Sequence, residues 1–238
     1  MKARIGILSG SGAYDLGAEV MEEKEISTPY GSPSSKVQLV NIGGRHAAFI
    51  RRHGPEHTIP PHMINHRANI YALHNLNVEA IISIGSVGSL KEEIEPPTVV
   101  IPDDYISPFR VDTFFDEEVR HITPSMSDVI RSGLRESADA LDIPVHYGGT
   151  YAQTLGPRLE TKAEIRMLSQ FADIVGMTVG SEATLSAEME IDFAAICSVD
   201  NYAHGIGGEI PDFQQILTNA RKNQERTKAI VRDFVERF

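Results

Sequence analysis

Short apolar runs that read as strands alternate along the chain with longer stretches carrying an apolar residue every three or four positions. This alternation predicts an α/β fold with a central, mixed but mostly parallel sheet flanked by helices, because a crossover helix returns the chain in the direction it came from. The strand-like runs fall at 5–8, 37–40, 47–51, 80–84, 98–101, 145–152, 174–177 and 193–199. A Gly43-Gly44 pair between the second and third reads as a hairpin turn. Helical spacing links Ile64, Ala68, Tyr71 and Ala72, and again Val129, Ile130, Leu134, Ala138 and Leu141. Further helices are predicted over 163–171 and 182–189, and a long last one carries Phe213, Ile216, Leu217, Ile230, Val231 and Phe234. No repeat, low-complexity tract or shift of composition divides the chain, so 1–238 reads as one domain.

Composition removes several classes of function. The 22 basic and 33 acidic residues give a net charge of −11, a balance that repels nucleic-acid backbones and anionic lipid. Any phosphate bound here must be held by a few placed donors. Cys197 is the single cysteine, which excludes an internal disulfide. The longest uninterrupted apolar run, 193–197, is far short of the roughly 20 residues a membrane helix needs. The first residues lack the apolar stretch of a secretory leader, so a cytoplasmic location is expected.

In parallel α/β sheets ligands sit beyond the carboxyl ends of the strands. After the first strand stands Gly10-Ser11-Gly12, where backbone N–H groups and a hydroxyl suit an anion. Asp15 occupies the place of the third glycine of a dinucleotide fingerprint and no Walker lysine follows, so a tight turn without ligand is an equal reading. After the hairpin comes Arg51-Arg52-His53-Gly54-Pro55-Glu56-His57, with a guanidinium fork suited to phosphate, or else a solvated turn. His53/His57 and His62/His66 have the spacing of helical metal ligands, but Gly54 and Met63 stand where a zincin has its glutamate, and no metal is expected. Small or polar residues also follow the later strands: 85–89, 154–161, 176–178 and 200–203. Six such segments at six strand ends would converge on one rim.

These stretches carry a resemblance. GSG at 10–12, RHGPEHTIPPHMINHRANIYAL at 52–73, SVGSLKEEI at 86–94, GPRLETKAEI at 156–165, GMT at 176–178 and NYA at 201–203 resemble, in order and over nearly the whole chain, the family of purine nucleoside and 5′-methylthioadenosine phosphorylases. The resemblance implies a homotrimer or a dimer of trimers, with no cofactor and inorganic phosphate as co-substrate. It implies a phosphate site made of Ser11, Arg52, His53, Gly85, Ser86 and Thr178. It implies a nucleoside site made of Val87, Gly88, Leu159, Glu160, Met177, Asn201 and Ala203, with His57 near the sugar and His121 lent by a neighbouring subunit. Met177 also reads as ordinary core filling.

The base-reading positions point to a branch. Where adenine-specific members have a serine and two aspartates, this chain has Glu160, Asn201 and Ala203, which resembles the 6-oxopurine branch. Hypoxanthine and guanine present two acceptors at N7 and O6, which an asparagine amide can meet, and an N1–H that a carboxylate can accept. Adenine's N1 bears no hydrogen and would leave Glu160 unpaired. The alternatives are a carboxylate serving a helix N-terminus for Glu160 and a turn residue for Asn201. Gly85, Ser181 and Asp200 depart from the family pattern. The expected activity is phosphorolysis of inosine, guanosine or 5′-methylthioinosine, with Asn201 and Glu160 as the catalytic pair. The alternatives are a 5′-methylthioadenosine phosphorylase and a non-catalytic purine-binding protein. The 210–215 segment, with Phe213, leaves the 5′ substituent open.

Overall fold

A computed structural model describes residues 3–10, 15–109, 112–208 and 212–238, and of Phe213 only the backbone. The chain is a single-domain α/β fold whose eleven described strands form one mixed sheet between helical layers. Strands β1 (Ile5–Ser9), β4 (Arg45–Arg51), β5 (Ala80–Ser89) and β11 (Asp192–Tyr202) run parallel through its centre. β3 (Val37–Ile42) joins β4 by the expected hairpin, and β2 (Glu19–Lys24) adds an antiparallel edge. Beyond β11 lie β6 (Thr98–Ile101) and β8 (Val145–Tyr147). β10 (Ile174–Gly176), β9 (Thr150–Gln153) and β7 (Asp104–Ile106) continue the sheet from the far end of β5.

β5 is therefore shared three ways. Residues 80–84 pair with β1, Gly88 and Ser89 pair antiparallel with β10, and β11 follows its other edge throughout. This corrects one expectation: 85–89 is strand and not a loop, because small residues let neighbouring backbones close in on both sides. A second correction is that 145–152 is two strands, broken at Gly148 and Gly149, which both take positive φ.

Period-two alternation along the central strands sorts their side chains into two layers. Leu8, Ile50, Ile81 and Phe193 pack towards α1 (His66–Asn75) and α4 (Val179–Glu188). Ile7, Phe49, Ile82, Ile84 and Ile196 pack towards α2 (Asp128–Ala140) and α5 (Phe213–Arg237). α3 (Lys162–Leu168) covers the β9–β10 side, where Ile165 and Leu168 join Ala152 and Val175. None of the described helices is long and apolar enough to cross a membrane.

Candidate active site

At the carboxyl ends of the strands lies a cavity of about 430 Å³. Segments after β4, β9, β10 and β11 converge on it together with the end of β5, and Pro61 and Ile216 of α5 close its wall. Of the residues named from sequence, Arg52, His53, Ser86, Val87, Gly88, Leu159, Glu160, Met177, Thr178, Asn201 and Ala203 all line this one space. Ser11 lies outside the described residues. Gly85 is buried behind the wall, where a Cβ would stand 3.5 Å from Cys197 Sγ, so space does not demand a glycine. His57 packs its ring on His53 at 4.7 Å between centroids and does not line the cavity. His121 is exposed, away from this chain's cavity. His204, Val175 and Ile216 line it from outside those motifs, and Pro61, Pro157 and Gly176 line it from within them without having been given a role.

Arg52 corrects a simple expectation. Its fork does not open towards a ligand. It is buried and turned onto Glu182, with Nε donating to Oε1 at 2.5 Å and Nη2 to Oε2 at 2.9 Å. Nη2 also meets Ser83 Oγ and the Leu8 carbonyl, and Nη1 donates to the Ile84 carbonyl. Nη1 is also the group nearest to Gly10, where a Cβ would stand 2.9 Å away. A side chain at position 10 would displace both Arg52 and His53. Burial is the largest single influence on Glu182 and works against its ionisation, but the charge and hydrogen bonds of Arg52 and His66 together hold the carboxyl at about 2. His66, with Nδ1 3.6 Å from Glu182 Oε1, adds to that field.

His53 is fixed as one tautomer. Its Nδ1 is 2.8 Å from the Ile59 carbonyl and must carry the hydrogen, so Nε2 presents a lone pair. Burial and the neighbouring Arg52 cation lower its pKa to about 4. The two histidine pairs with helical spacing do not share a helix: His53 and His57 lie in a turn, and His62 lies in a 3-10 turn (Pro61–Met63) ahead of α1.

The base-reading positions are set by backbone irregularities. In β11, Ser198 pairs with Ser86 and Val199 with Val87, but Asn201 pairs with Gly88. Asp200 is the extra residue of a β-bulge, which carries Asn201 one place back towards the cavity. Asn201 Nδ2 donates one hydrogen to the Tyr202 carbonyl at 2.7 Å. Asp200 itself is fully buried, with Oδ2 accepting from Ser86 Oγ at 2.5 Å and Oδ1 from Ser198 Oγ.

Glu160 is buried beside Thr154, whose hydroxyl donates to Oε1 at 2.5 Å. It does not serve the helix that follows. There Thr161 and Glu164 form a reciprocal capping box, and Arg158 grips Glu164 with two bonds of 2.8 Å. Gly156 brings this loop against Met177: it has φ +65°, and a Cβ would stand 2.5 Å from the thioether sulfur. Thr178 opens α4 without capping it; the buried Tyr151 hydroxyl instead accepts from the Thr178 and Val179 N–H groups at 3.2 and 3.4 Å. Ser181, a departure from the expected pattern, has a reason too. Its N–H donates to Gln153 Oε1 at 2.9 Å and its hydroxyl accepts from Gln153 Nε2 at 2.5 Å, and proline could not make the first bond.

Comparisons with known proteins place the chain as a whole. The sequence is 42% identical over 235 residues to a protein of Archaeoglobus fulgidus named probable 6-oxopurine nucleoside phosphorylase, covering 98% of this chain and 96% of that protein. It is 41% identical over 243 residues to an S-methyl-5′-thioadenosine phosphorylase of Pyrococcus horikoshii, covering 99% and 93%. The fold superposes with a TM-score of 0.90 and 34% identity on a methylthioadenosine phosphorylase from an antarctic soil metagenomic library, covering 98% of this chain and 85% of that one. The sequence profile of the phosphorylase superfamily matches residues 4–236, and the chain belongs to that family.

Proposed function

We propose that the protein catalyses the reversible phosphorolysis of 6-oxopurine nucleosides, releasing free purine and ribose 1-phosphate or its 5-methylthio form. One observation carries this reading: a carboxylate, Glu160, and an amide, Asn201, line the same cavity, with Ala203 where a second base-reading carboxylate would otherwise stand. Thr154 uses only one oxygen of Glu160, which leaves the other for the purine N1–H. One amide hydrogen of Asn201 remains for N7 or O6. As phosphate reaches the anomeric carbon and the glycosidic bond lengthens, negative charge collects on the purine. A preorganised donor at N7 stabilises that charge more than it stabilises the bound nucleoside, and this lowers the barrier. Met177 lies against the sugar.

For phosphate, the reading draws on Ser11, the free Nη1 hydrogen of Arg52, the Gly85–Ser86 segment, Thr178 and His53. Because His53 is neutral with Nε2 as acceptor, it suits the O–H of a protonated phosphate. No further cofactor is invoked.

A second reading, a 5′-methylthioadenosine phosphorylase, is supported by relatives of that name at similar identity and by the apolar Pro61 and Ile216 in the cavity wall. The test is a panel of inosine, guanosine, adenosine, 5′-methylthioinosine and 5′-methylthioadenosine, each with and without phosphate. Release of hypoxanthine or guanine only with phosphate supports the proposal. Preference for the adenine nucleosides replaces it with the second reading. Base release without phosphate, or none at all, overturns both. The same reading makes the enzyme a cytoplasmic trimer, or a dimer of trimers, in which His121 completes a neighbour's site.

A further inference from the structure

We infer that Asp200 sets the hydrogen-bonding polarity of Ser86, so that anion binding in the cavity takes up a proton at Asp200. The inference deepens the proposed function and rests on its placing of phosphate beside Ser86. Ser86 is the one exposed residue of β5, and its exposure is into the cavity. Directly across the sheet stands Ser198, its register partner, and the bulge puts the buried Asp200 carboxylate against both hydroxyls. A hydroxyl has one proton. With Asp200 ionised, both serines direct that proton inward, and Ser86 shows the cavity only lone pairs. Such an oxygen repels a phosphate oxygen. With Asp200 protonated, its O–H donates to Ser86 Oγ, and the Ser86 hydrogen turns outward to an anion. The balance is one proton, from solvent to Asp200 Oδ2, per anion bound, and no covalent bond changes.

The surroundings favour this exchange. Among the described residues no cation forms an ion pair with Asp200, and burial pushes its carboxyl up to about 6 against the Ser198 and Ser86 hydroxyls and the Asn223 amide, which favour the charge. The groups facing it are Ser86 on β5, Ser198 on its own strand, and Asn219 and Asn223 on α5. Asn219 holds the Asp200 carbonyl at 2.9 Å, and Asn223 holds that of Val199 at 3.2 Å. The adjacent titratable group is the Cys197 thiol, which burial pushes up to about 12, so it stays protonated throughout.

Inorganic phosphate titrates in the same range, so sulfate is the probe. Its binding to the intact enzyme is measured as competition with phosphate, from about pH 5.5 to about pH 8, in wild type, Asp200→Asn, Ser86→Ala and the double variant. One linked proton weakens binding roughly tenfold per pH unit above the titration of Asp200. The expected result is that wild type loses about tenfold more per pH unit than Asp200→Asn. An asparagine donates to Ser86 at every pH. In the Ser86→Ala background the two slopes coincide. Equal slopes in wild type and Asp200→Asn overturn the inference. So does a slope difference that persists without Ser86, since Asp200 then acts through its charge alone. Should Asp200→Asn not fold, Ser86→Ala against wild type reads the same one-proton difference. Absence of phosphate-dependent activity in the wild type at every pH instead overturns the functional reading beneath it.

Discussion

Glu160 owes its freedom to bind a ligand to its neighbours. Thr161 and Glu164 already cap α3, and Thr154 fixes one carboxylate oxygen, so the other is left for the cavity. A neutral amide in its place would still accept from N1–H, but without the charge. Glu160→Gln is expected to lower kcat/KM for inosine by about 10²-fold, and to narrow its margin over adenosine, because the unpaired carboxylate that rejects adenine is gone. Asn201→Ala is expected to lower kcat/KM for inosine by about 10²-fold, the scale of one lost donor to a developing charge. Steady-state kinetics on both nucleosides check both expectations. At this scale the sequence was legible where a motif names a residue type. Arg52 was legible as a member of the site but not as a partner of Glu182, because the 130 positions between them are closed only by the fold.

Elements were legible where apolar periodicity dominates and illegible where it does not. The β3–β4 hairpin, α2 and α5 form where their patterns place them, although Val129, Leu141 and Leu217 of the two helical stripes are exposed. β2 does not, since EVMEEK is an exposed edge whose charges discourage further strand pairing rather than advertise a strand. β5 ran on through GSVGS because glycine and serine pass for a loop when neighbouring strands are unseen. α4 begins three residues earlier than its apolar stripe suggested, held by a tyrosine from β9. Tyr151→Phe leaves two buried N–H groups without that acceptor. It is expected to cost about 1–3 kcal/mol in urea unfolding, and to raise KM for phosphate more than KM for nucleoside, since Thr178 sits at the released end.

For the whole molecule, the half-buried His53 and the buried Asp200 and Glu182 shape stability against pH. His53, lowered to about 4 from 6.5, makes the fold less stable as pH falls from 6.5 to 4, because the unfolded chain binds the proton more readily. Asp200, raised to about 6 from 3.8, acts oppositely, and its contribution is lost as pH rises through 6. Glu182, held at about 2 from 4.5, withdraws stability as pH falls below 4.5. The first two oppose each other between pH 4 and 6. Thermal melts of wild type are therefore expected to be nearly level from pH 6 down to about 4.5 and to fall below it, whereas Asp200→Asn exposes the His53 slope and is more stable at pH 8. Arg52→Ala leaves Glu182 in the core without its guanidinium partner, with only Ser83 and His66 beside it, and is expected to cost about 3–5 kcal/mol by denaturant unfolding. The segment between Phe114 and α2 has no regular structure and carries Val119, 91% exposed, beside His121. Long irregular segments in compact domains are commonly functional. Val119→Asp is expected to shift the molecular mass in solution towards the monomer, with activity falling in step.

The bulge in β11 has a consequence for how such a site changes over generations. Asn201 keeps its place opposite Gly88 although the chain contains one more residue there than the pleat requires. Dropping the codon for Asp200 would leave the amide on the same side of the sheet, since Asn201 would follow Val199 into register with Gly88, and would remove only the acid tucked beneath it. Spacing is thus forgiving at this one point, and a lineage could gain or lose a buried acid there without moving the group its pocket presents.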